Sequence, residues 1–471
     1  MKYDVVIGLE IHAELSTQSK IFCECAQQFG GEPNTRCCPK CVALPGALPV
    51  LNQAAIKYAV IAGLCLNCHI NEYSAFDRKN YFYPDLPKAY QISQFYFPIC
   101  ENGFVEINGK KIRINRIHLE EDAGKLIHDD IQGISLADYN RSSVPLIEIV
   151  TEPDITSGEE ARAFTEEVVA RLRYAGVCDA KMEEGSLRCD VNISLKPKGA
   201  KEFGTRAEIK NLNSFKSIVR AVDYEIKRQS DILDRGAKVK QETRRFNDSN
   251  GKTVSMRSKE EADDYRYFPD PDIPAVLIDK TKILEIKESI PAMPAERKKI
   301  YVEDYGIPEA DADLILTQKE YSDFFNETAK YLDNYRGAAS LFVVELFRII
   351  NDKGYEGEFK FSPEQFVKLV KMLDEDKITK AAQKKILWLM FDSGKDPEII
   401  AKENNLLTVR DVEGVQEAVR AAIETNSKAV SQYREGVEKV FGFLMGQVMR
   451  QVGKSASPDL VREELLKALK G

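Results

Sequence analysis

Val5-Val6-Ile7-Gly8-Leu9-Glu10-Ile11-His12 alternates along its length, with Val5, Ile7, Leu9 and Ile11 on one side and Glu10 and His12 on the other. A period of two marks a strand with one buried face, because successive side chains of an extended chain point to opposite sides of a sheet. Leu187-Arg188-Cys189-Asp190-Val191-Asn192-Ile193 repeats the pattern and gathers Arg188, Asp190 and Asn192 on its polar side. Glu148 stands in the middle of Leu146-Ile147-Glu148-Ile149-Val150. Further strands are expected over 104–120 and 205–210, and Asn108-Gly109 predicts a two-residue type I′ hairpin turn, which needs positive φ at both positions. Helices interrupt the strands. The clearest begins at Ser157-Gly158-Glu159-Glu160, read as a capping box, carries Phe164, Val168 and Leu172 on one face, and stops at Gly176. With no regular βαβ spacing, the fold class is α+β with a largely antiparallel sheet.

Beyond Pro291-Ala292-Met293-Pro294 the periodicity becomes helical, as in 363–373 and 381–391, where apolar residues recur every three to four positions. A second break falls near 404–408, followed by three expected helices over 412–424, 430–452 and 458–469. The expected organisation is a sheet-built cradle domain at 1–292, an all-α helical domain at 293–405 and a small helical tail domain at 406–471.

At 471 residues the chain exceeds what one hydrophobic core organises, and 43% hydrophobic with 30% charged residues excludes wholesale disorder. No run approaches the roughly 20 uncharged apolar residues that span a bilayer, and Met1-Lys2-Tyr3-Asp4 leads into a strand instead of a signal peptide. A cytoplasmic protein is expected, with no membrane and no DNA partner. The formal net charge of −8 argues against coating nucleic acid by bulk charge, so any RNA must be held by local basic patches.

Three constellations carry chemistry. Cys23-Glu24-Cys25 and Cys38-Pro39-Lys40-Cys41 are two thiolate pairs of the kind that close a structural tetrahedral zinc site, with Cys37 leaving the third ligand ambiguous. On the polar strand faces, Glu10, Glu148 and Asp190 gather near His12, and His118-Leu119-Glu120-Glu121-Asp122 and Glu183-Glu184 add acid at strand ends. Such a set suits a hard divalent cation, magnesium above all; the alternative is a solvated, salt-bridged sheet face. The stretch from Phe76 to Gln91 interleaves Arg78, Lys79 and Lys88 with aromatics, and Tyr265-Arg266-Tyr267-Phe268, after Ser255-Met256-Arg257-Ser258, has the same character. Loops of this kind stack a base and hold phosphates, or simply pack as surface aromatics. No glycine-rich phosphate loop, Rossmann fingerprint or nucleophile elbow occurs, and four histidines (His12, His69, His118, His128) offer little general-base capacity.

Taken together, Ile7 to His12, Phe76 to Gln91, His118 to Lys125, Pro145-Leu-Ile-Glu-Ile-Val-Thr-Glu-Pro153, Met182 to Val191 and Ser255 to Asp272 closely resemble the B subunits of glutamyl-/aspartyl-tRNA amidotransferases. The resemblance implies that ATP phosphorylates the side-chain carboxylate of glutamate or aspartate misacylated onto tRNA(Gln) or tRNA(Asn), and that ammonia then displaces the phosphate. It further implies a heterotrimer: an amidase, the A subunit, supplies ammonia from glutamine, and a small C subunit clasps the other two. By the same resemblance Glu10, His12 and Glu148 are catalytic, and Glu10, His12, Glu120, Glu121, Glu148, Glu184 and Asp190 hold Mg2+, with Mn2+ a substitute at the softer imidazole. Lys79, Tyr81, Lys88 and Arg257 would contact ATP or the tRNA acceptor end, Cys23, Cys25, Cys38 and Cys41 would hold zinc, and the helical tail would bind tRNA. A non-catalytic tRNA-binding scaffold with structural zinc is the alternative function.

Overall fold

Tyr3–Glu14, the strand that carries the alternating octet, lies at the centre of a nine-stranded sheet in a computed structural model. The structure describes residues 2–129, 131–182, 184–258, 265–355, 359–408, 412–435, 437–452 and 458–470. From one edge the strands run Lys252–Ser258, Glu242–Asn247, Ala207–Leu212, Leu187–Pro197, Tyr3–Glu14, Pro145–Thr151, Lys110–Glu121, Cys100–Ile107 and His69–Ile70. Every neighbouring pair is antiparallel except Ala207–Leu212 with Glu242–Asn247, which is parallel. The α+β expectation therefore holds.

One face of the sheet is apolar and covered. Ile7, Leu9 and Ile11 share a core with Ala59 and Val60 of the Gln53–Cys65 helix, Phe164, Val168 and Leu172 of Gly158–Tyr174, and Ile218 and Val222 of Phe215–Asp234. Burying these side chains fixes the register, since a slip of one residue would turn Glu10 and His12 into the core. The opposite face is left for polar groups.

Local signals act as their chemistry dictates. Asn108 (φ 51°) and Gly109 (φ 77°) make the tight turn between Cys100–Ile107 and Lys110–Glu121. Ser157 caps its helix by accepting the Glu160 amide at 3.1 Å, but Glu160 reaches back to the amide of Thr156 at 2.7 Å, so the expected box closes one residue early. The ladder between Tyr3–Glu14 and Pro145–Thr151 stops at Glu10–Val150, where Thr151 Oγ1 instead accepts the Leu9 amide at 2.8 Å. The two strands separate beside Gly8, and a cavity opens there.

The chain divides into two compact units, 1–294 and 295–471. The second is helical and contains two apolar clusters, one built from Tyr301 to Ala401 and the other from Val415 to Leu469. In the latter, the single helix expected over 430–452 is two, Ser427–Arg434 and Lys439–Val452; the sequence between them carries Gly436, a poor residue for a helix interior. Among the described residues no helix is long and apolar enough to cross a membrane.

Candidate active site

Strand pairing draws the polar side chains into rows. Arg188, His12, Glu148 and His118 occupy directly paired positions across four adjacent strands, and Glu10 sits opposite Asp190. Two carboxylate groups result. In the first, His12 Nε2 lies 3.6 Å from Glu120 Oε1 and 3.5 Å from Glu148 Oε2, and His118 Nε2 lies 3.1 Å from that same Glu148 oxygen. In the second, one ligand atom each of Glu10, Asp190 and Glu208 lies within 4.8 Å of the others. Asn192 Nδ2 donates to Glu10 Oε1 at 2.9 Å, Lys210 Nζ donates to Asp190 Oδ2 at 2.5 Å, and Thr243 Oγ1 donates to Glu208 Oε2 at 2.9 Å.

So much acid in one place shifts protons. Burial, then the neighbouring charges of Glu148, Glu208 and Asp190, raise the Glu10 carboxyl above its ordinary range. Desolvation pulls the His12 imidazole down, but Glu148 and Glu120 outweigh it and push it up to about 9. Glu148 is desolvated too, yet His118 and His12 hold it well below the carboxylate range. Beyond burial, Glu10 is raised by the like charges beside it, and a divalent cation there would relieve their repulsion. The oxygen-rich donor set fits magnesium, with His12 the softer member.

Several expected residues take different positions. Glu121 turns away from this face because strand alternation gives that side to His118 and Glu120; its buried carboxylate is held by Lys88 Nζ (2.8 Å), the Ile92 amide (2.9 Å) and Ser143 Oγ (2.7 Å). Lys88 is thereby engaged away from the two carboxylate groups, in a hollow with Pro87, Tyr90 and Ile92. Glu184 is exposed in a turn and pairs with Lys181 at 2.9 Å. Arg257 lies opposite Thr243 in strand register, and its side chain is outside the described residues. Lys79 and Tyr81 do line the cavity of His12, Glu120 and Asp190, and Lys79 Nζ sits 5.0 Å from the Tyr265 ring centroid. Burial lowers the Lys79 ammonium, but Tyr267, Glu120 and Glu148 outweigh it and raise it. Glu208 and Lys210 were missed by sequence reasoning, and His118 was named there without a role in the site, although the alternation that singled out Asp190 also places Glu208 and Lys210 on one face of Ala207–Leu212.

The thiols gather as well. Cys23, Cys38 and Cys25 lie 3.5, 3.8 and 3.9 Å from Cys41 Sγ, close to the edge of about 3.8 Å expected for a tetrahedron of sulfurs about 2.3 Å from zinc. Cys37 instead points its thiol at the Asn34 carbonyl, 3.2 Å away. The fully buried Lys20 donates to Cys41 Sγ at 3.5 Å and to the Tyr139 carbonyl at 3.3 Å, placing a cation where thiolate charge would collect.

The sequence model of the GatB/GatE catalytic domain matches residues 5–284, which contain both carboxylate groups and the four gathered thiols. The chain belongs to the GatB/GatE family. A second model, the GatB domain, matches residues 323–469. Curated relatives named as the B subunit of aspartyl/glutamyl-tRNA(Asn/Gln) amidotransferase agree over full length. That of Caldicellulosiruptor saccharolyticus is 53% identical over 100% of this chain and 99% of its own, and that of Ruminiclostridium cellulolyticum is 53% identical over 99% and 97%. The Thermodesulfovibrio yellowstonii protein is 47% identical over 100% of both. This GatB-family chain is thus a tRNA-dependent amidotransferase B subunit, a ligase-class component, with its acidic sheet face inside the matched catalytic domain.

Proposed function

We propose that this protein activates the side-chain carboxylate of glutamate or aspartate esterified to tRNA(Gln) or tRNA(Asn), using ATP, and then amidates it with ammonia supplied by an amidase A subunit in a heterotrimer completed by a small C subunit. The observation that carries this reading is the position of the carboxylates between two cavities. One, of about 520 Å³, is bounded by Val6, Gly8, Glu10, Thr151, Asn192 and Phe203; the other, of about 570 Å³, by His12, Lys79, Tyr81, Glu120, Arg188 and Asp190. Both volumes fall in the range of small-molecule sites. The first, floored by Gly8 and flanked by the exposed Phe203 ring, suits the nucleotide, and the second suits the aminoacyl end of tRNA.

In this arrangement an oxygen of the substrate carboxylate attacks the γ-phosphorus of ATP, the bond to the β,γ-bridging oxygen breaks and ADP leaves. Ammonia then attacks the acyl carbon, phosphate departs with its bridging oxygen, and nitrogen loses a proton. Phosphoryl transfer asks the protein for positioning and charge neutralisation more than for a nucleophile. Glu10, Asp190 and Glu208 on one side, with His12, Glu120 and Glu148 on the other, would hold Mg2+, which supplies neutralisation of phosphate charge. Lys79 adds a fixed cation. The helical tail would bind tRNA, and Cys23, Cys25, Cys38 and Cys41 would hold structural zinc.

The test is phosphate release from γ-labelled ATP by the reconstituted complex, with ammonium chloride replacing glutamine. Release that requires both glutamyl-tRNA and intact Glu10 supports activation on this chain. Unchanged release in the Glu10→Ala complex overturns it in favour of a non-catalytic tRNA-binding scaffold.

A further inference from the structure

The larger cavity contains two carboxylate oxygens that belong to neither of the metal-binding groups. Asp122 is 4% exposed; its Oδ1 accepts the Ala123 amide at 2.8 Å, whereas Oδ2 accepts no hydrogen bond among the described residues. Arg188 Nη2 and Arg141 Nε stand 3.1 and 3.4 Å from that oxygen, at ion-pair distance without hydrogen-bond geometry. Arg141 is committed elsewhere, donating to the carbonyls of Ala123 and Gly124 at 3.0 and 3.1 Å. Asp85 Oδ1 is likewise buried and accepts nothing among the described residues. Its loop is pinned, since the Asp85 carbonyl takes the Gly124 amide at 2.8 Å and the Pro84 carbonyl takes the Tyr139 hydroxyl at 2.8 Å. Burial pushes the Asp85 carboxyl up, against the pull of its own backbone amide and of the Arg141 charge, with the charge of Asp122 a smaller addition. Leaving a buried acceptor without a donor is costly unless a ligand supplies one, and Asp85 Oδ1 is such an acceptor.

We infer that Asp85 and Asp122 form a subsite for the α-ammonium group of the aminoacyl ester, on the reading of function proposed above. An ammonium brings three donors and no acceptor, which suits Asp85 Oδ1, left without a hydrogen bond among the described residues, beside the ion-paired Asp122 Oδ2. With Arg141 and Arg188 nearby, the four side chains sum to zero formal charge, which suits a monovalent hydrogen-bonding cation better than a divalent ion. Spacing agrees. Asp122 follows Glu120 by two residues, one strand repeat of about 7 Å, and an extended glutamate spans roughly 5 Å from its nitrogen to its side-chain carboxyl. Holding the ammonium at Asp122 therefore brings the side-chain carboxylate toward Glu120, His12 and Glu148. The subsite would make the enzyme read the α-amine, and it would refuse esters whose nitrogen is acylated or missing.

The experiment compares glutamyl-tRNA with tRNA esterified by glutarate, which lacks only the α-amine, in ATP cleavage by the reconstituted complex. The wild type is expected to favour glutamyl-tRNA in kcat/KM by at least ~10-fold, the value of one or two hydrogen bonds to a charged group. Asp85→Asn should lower kcat/KM for glutamyl-tRNA by about the same factor and leave the glutaryl ester unchanged. Equal use of both esters by the wild type, or an equal loss on both in Asp85→Asn, overturns the subsite. Should Asp85→Asn fail to assemble, the wild-type ratio decides alone. Cleavage on neither ester would instead overturn the activation reading, and the subsite with it.

Discussion

Glu10 and Asp190 face each other as directly paired residues of adjacent antiparallel strands, both on the uncovered side of the sheet. Like charges in opposed positions destabilise a strand pair. Here the pair is kept by flanking donors: Asn192 on Glu10, and Lys210 on Asp190 and, at 3.1 Å, on Glu208. The apolar partners on the reverse side, Leu9, Ile11, Cys189 and Val191, are all buried, so the fold holds the carboxylates together whether or not they favour one another. A face assembled at such electrostatic cost would be relieved by a bound cation, as the proposed function requires.

The hydroxyl of Thr243 orients Glu208, and cation affinity should report it. Thr243→Val is expected to raise the Mg2+ concentration for half-maximal ATP cleavage by about 10-fold or more, the usual effect of losing an outer-shell hydrogen bond. Thr243→Ser should restore it. Equal magnesium dependence in the valine variant and the wild type would remove Thr243 from any positioning role.

Cobalt substitution reads the thiol cluster. Replacing Cys38 with serine should abolish the tetrahedral thiolate absorption of the Co2+-loaded protein, and replacing Cys37 should leave the band unaltered, because of these two thiols only that of Cys38 faces Cys41. The reverse result would exchange their roles.

Gly204 is a place where backbone approaches backbone. A Cβ there would come within 2.0 Å of the Leu195 carbonyl oxygen, so Gly204→Ala must push the 203–205 loop off the strand that walls the smaller cavity. Expected outcomes are a loss of about 1–3 kcal/mol in thermal unfolding and a raised KM for ATP. An unchanged KM with lowered stability would place the nucleotide elsewhere.

Acid sensitivity follows from the start of the Gly158–Tyr174 helix. Burial alone would raise Glu160, but Lys110 and the Thr156 amide outweigh it and hold its carboxyl below the unfolded value of 4.5. A lowered folded pKa means stability that is present above pH 4.5 and lost as pH falls through the folded pKa. Glu160→Gln should therefore cost about 1 kcal/mol at about pH 7 and progressively less as pH falls below 4.5, as measured by urea unfolding across that range. A pH-independent difference would assign the loss to packing.

Much of this was legible in the sequence because a half-covered antiparallel sheet writes its register as alternation. Residues 5–12 and 187–193 declare both the apolar face and the polar row, and Asn108-Gly109 declares its turn. What alternation cannot show is which strands are neighbours. Glu208 joins Glu10 and Asp190 only because Ala207–Leu212 pairs with Leu187–Pro197, a long-range choice that no local signal encodes. Glu120 and Glu121 illustrate the converse: adjacent residues of one strand look alike in sequence, and the ladder through Glu148 and His118 sends them to opposite sides. Lys88, taken with the basic loop, is claimed by Glu121 for the same reason.

The most direct measurement follows oxygen. Glutamyl-tRNA whose side-chain carboxylate carries 18O at both oxygens is given to the reconstituted complex with ATP and ammonium chloride, and the phosphate released is examined by mass spectrometry. Activation on the Glu10–Asp190 face predicts one 18O atom in each phosphate formed with glutaminyl-tRNA, and no labelled phosphate from the Glu10→Ala complex. Glutaminyl-tRNA formed alongside unlabelled phosphate would contradict it, since no acyl phosphate would then have existed.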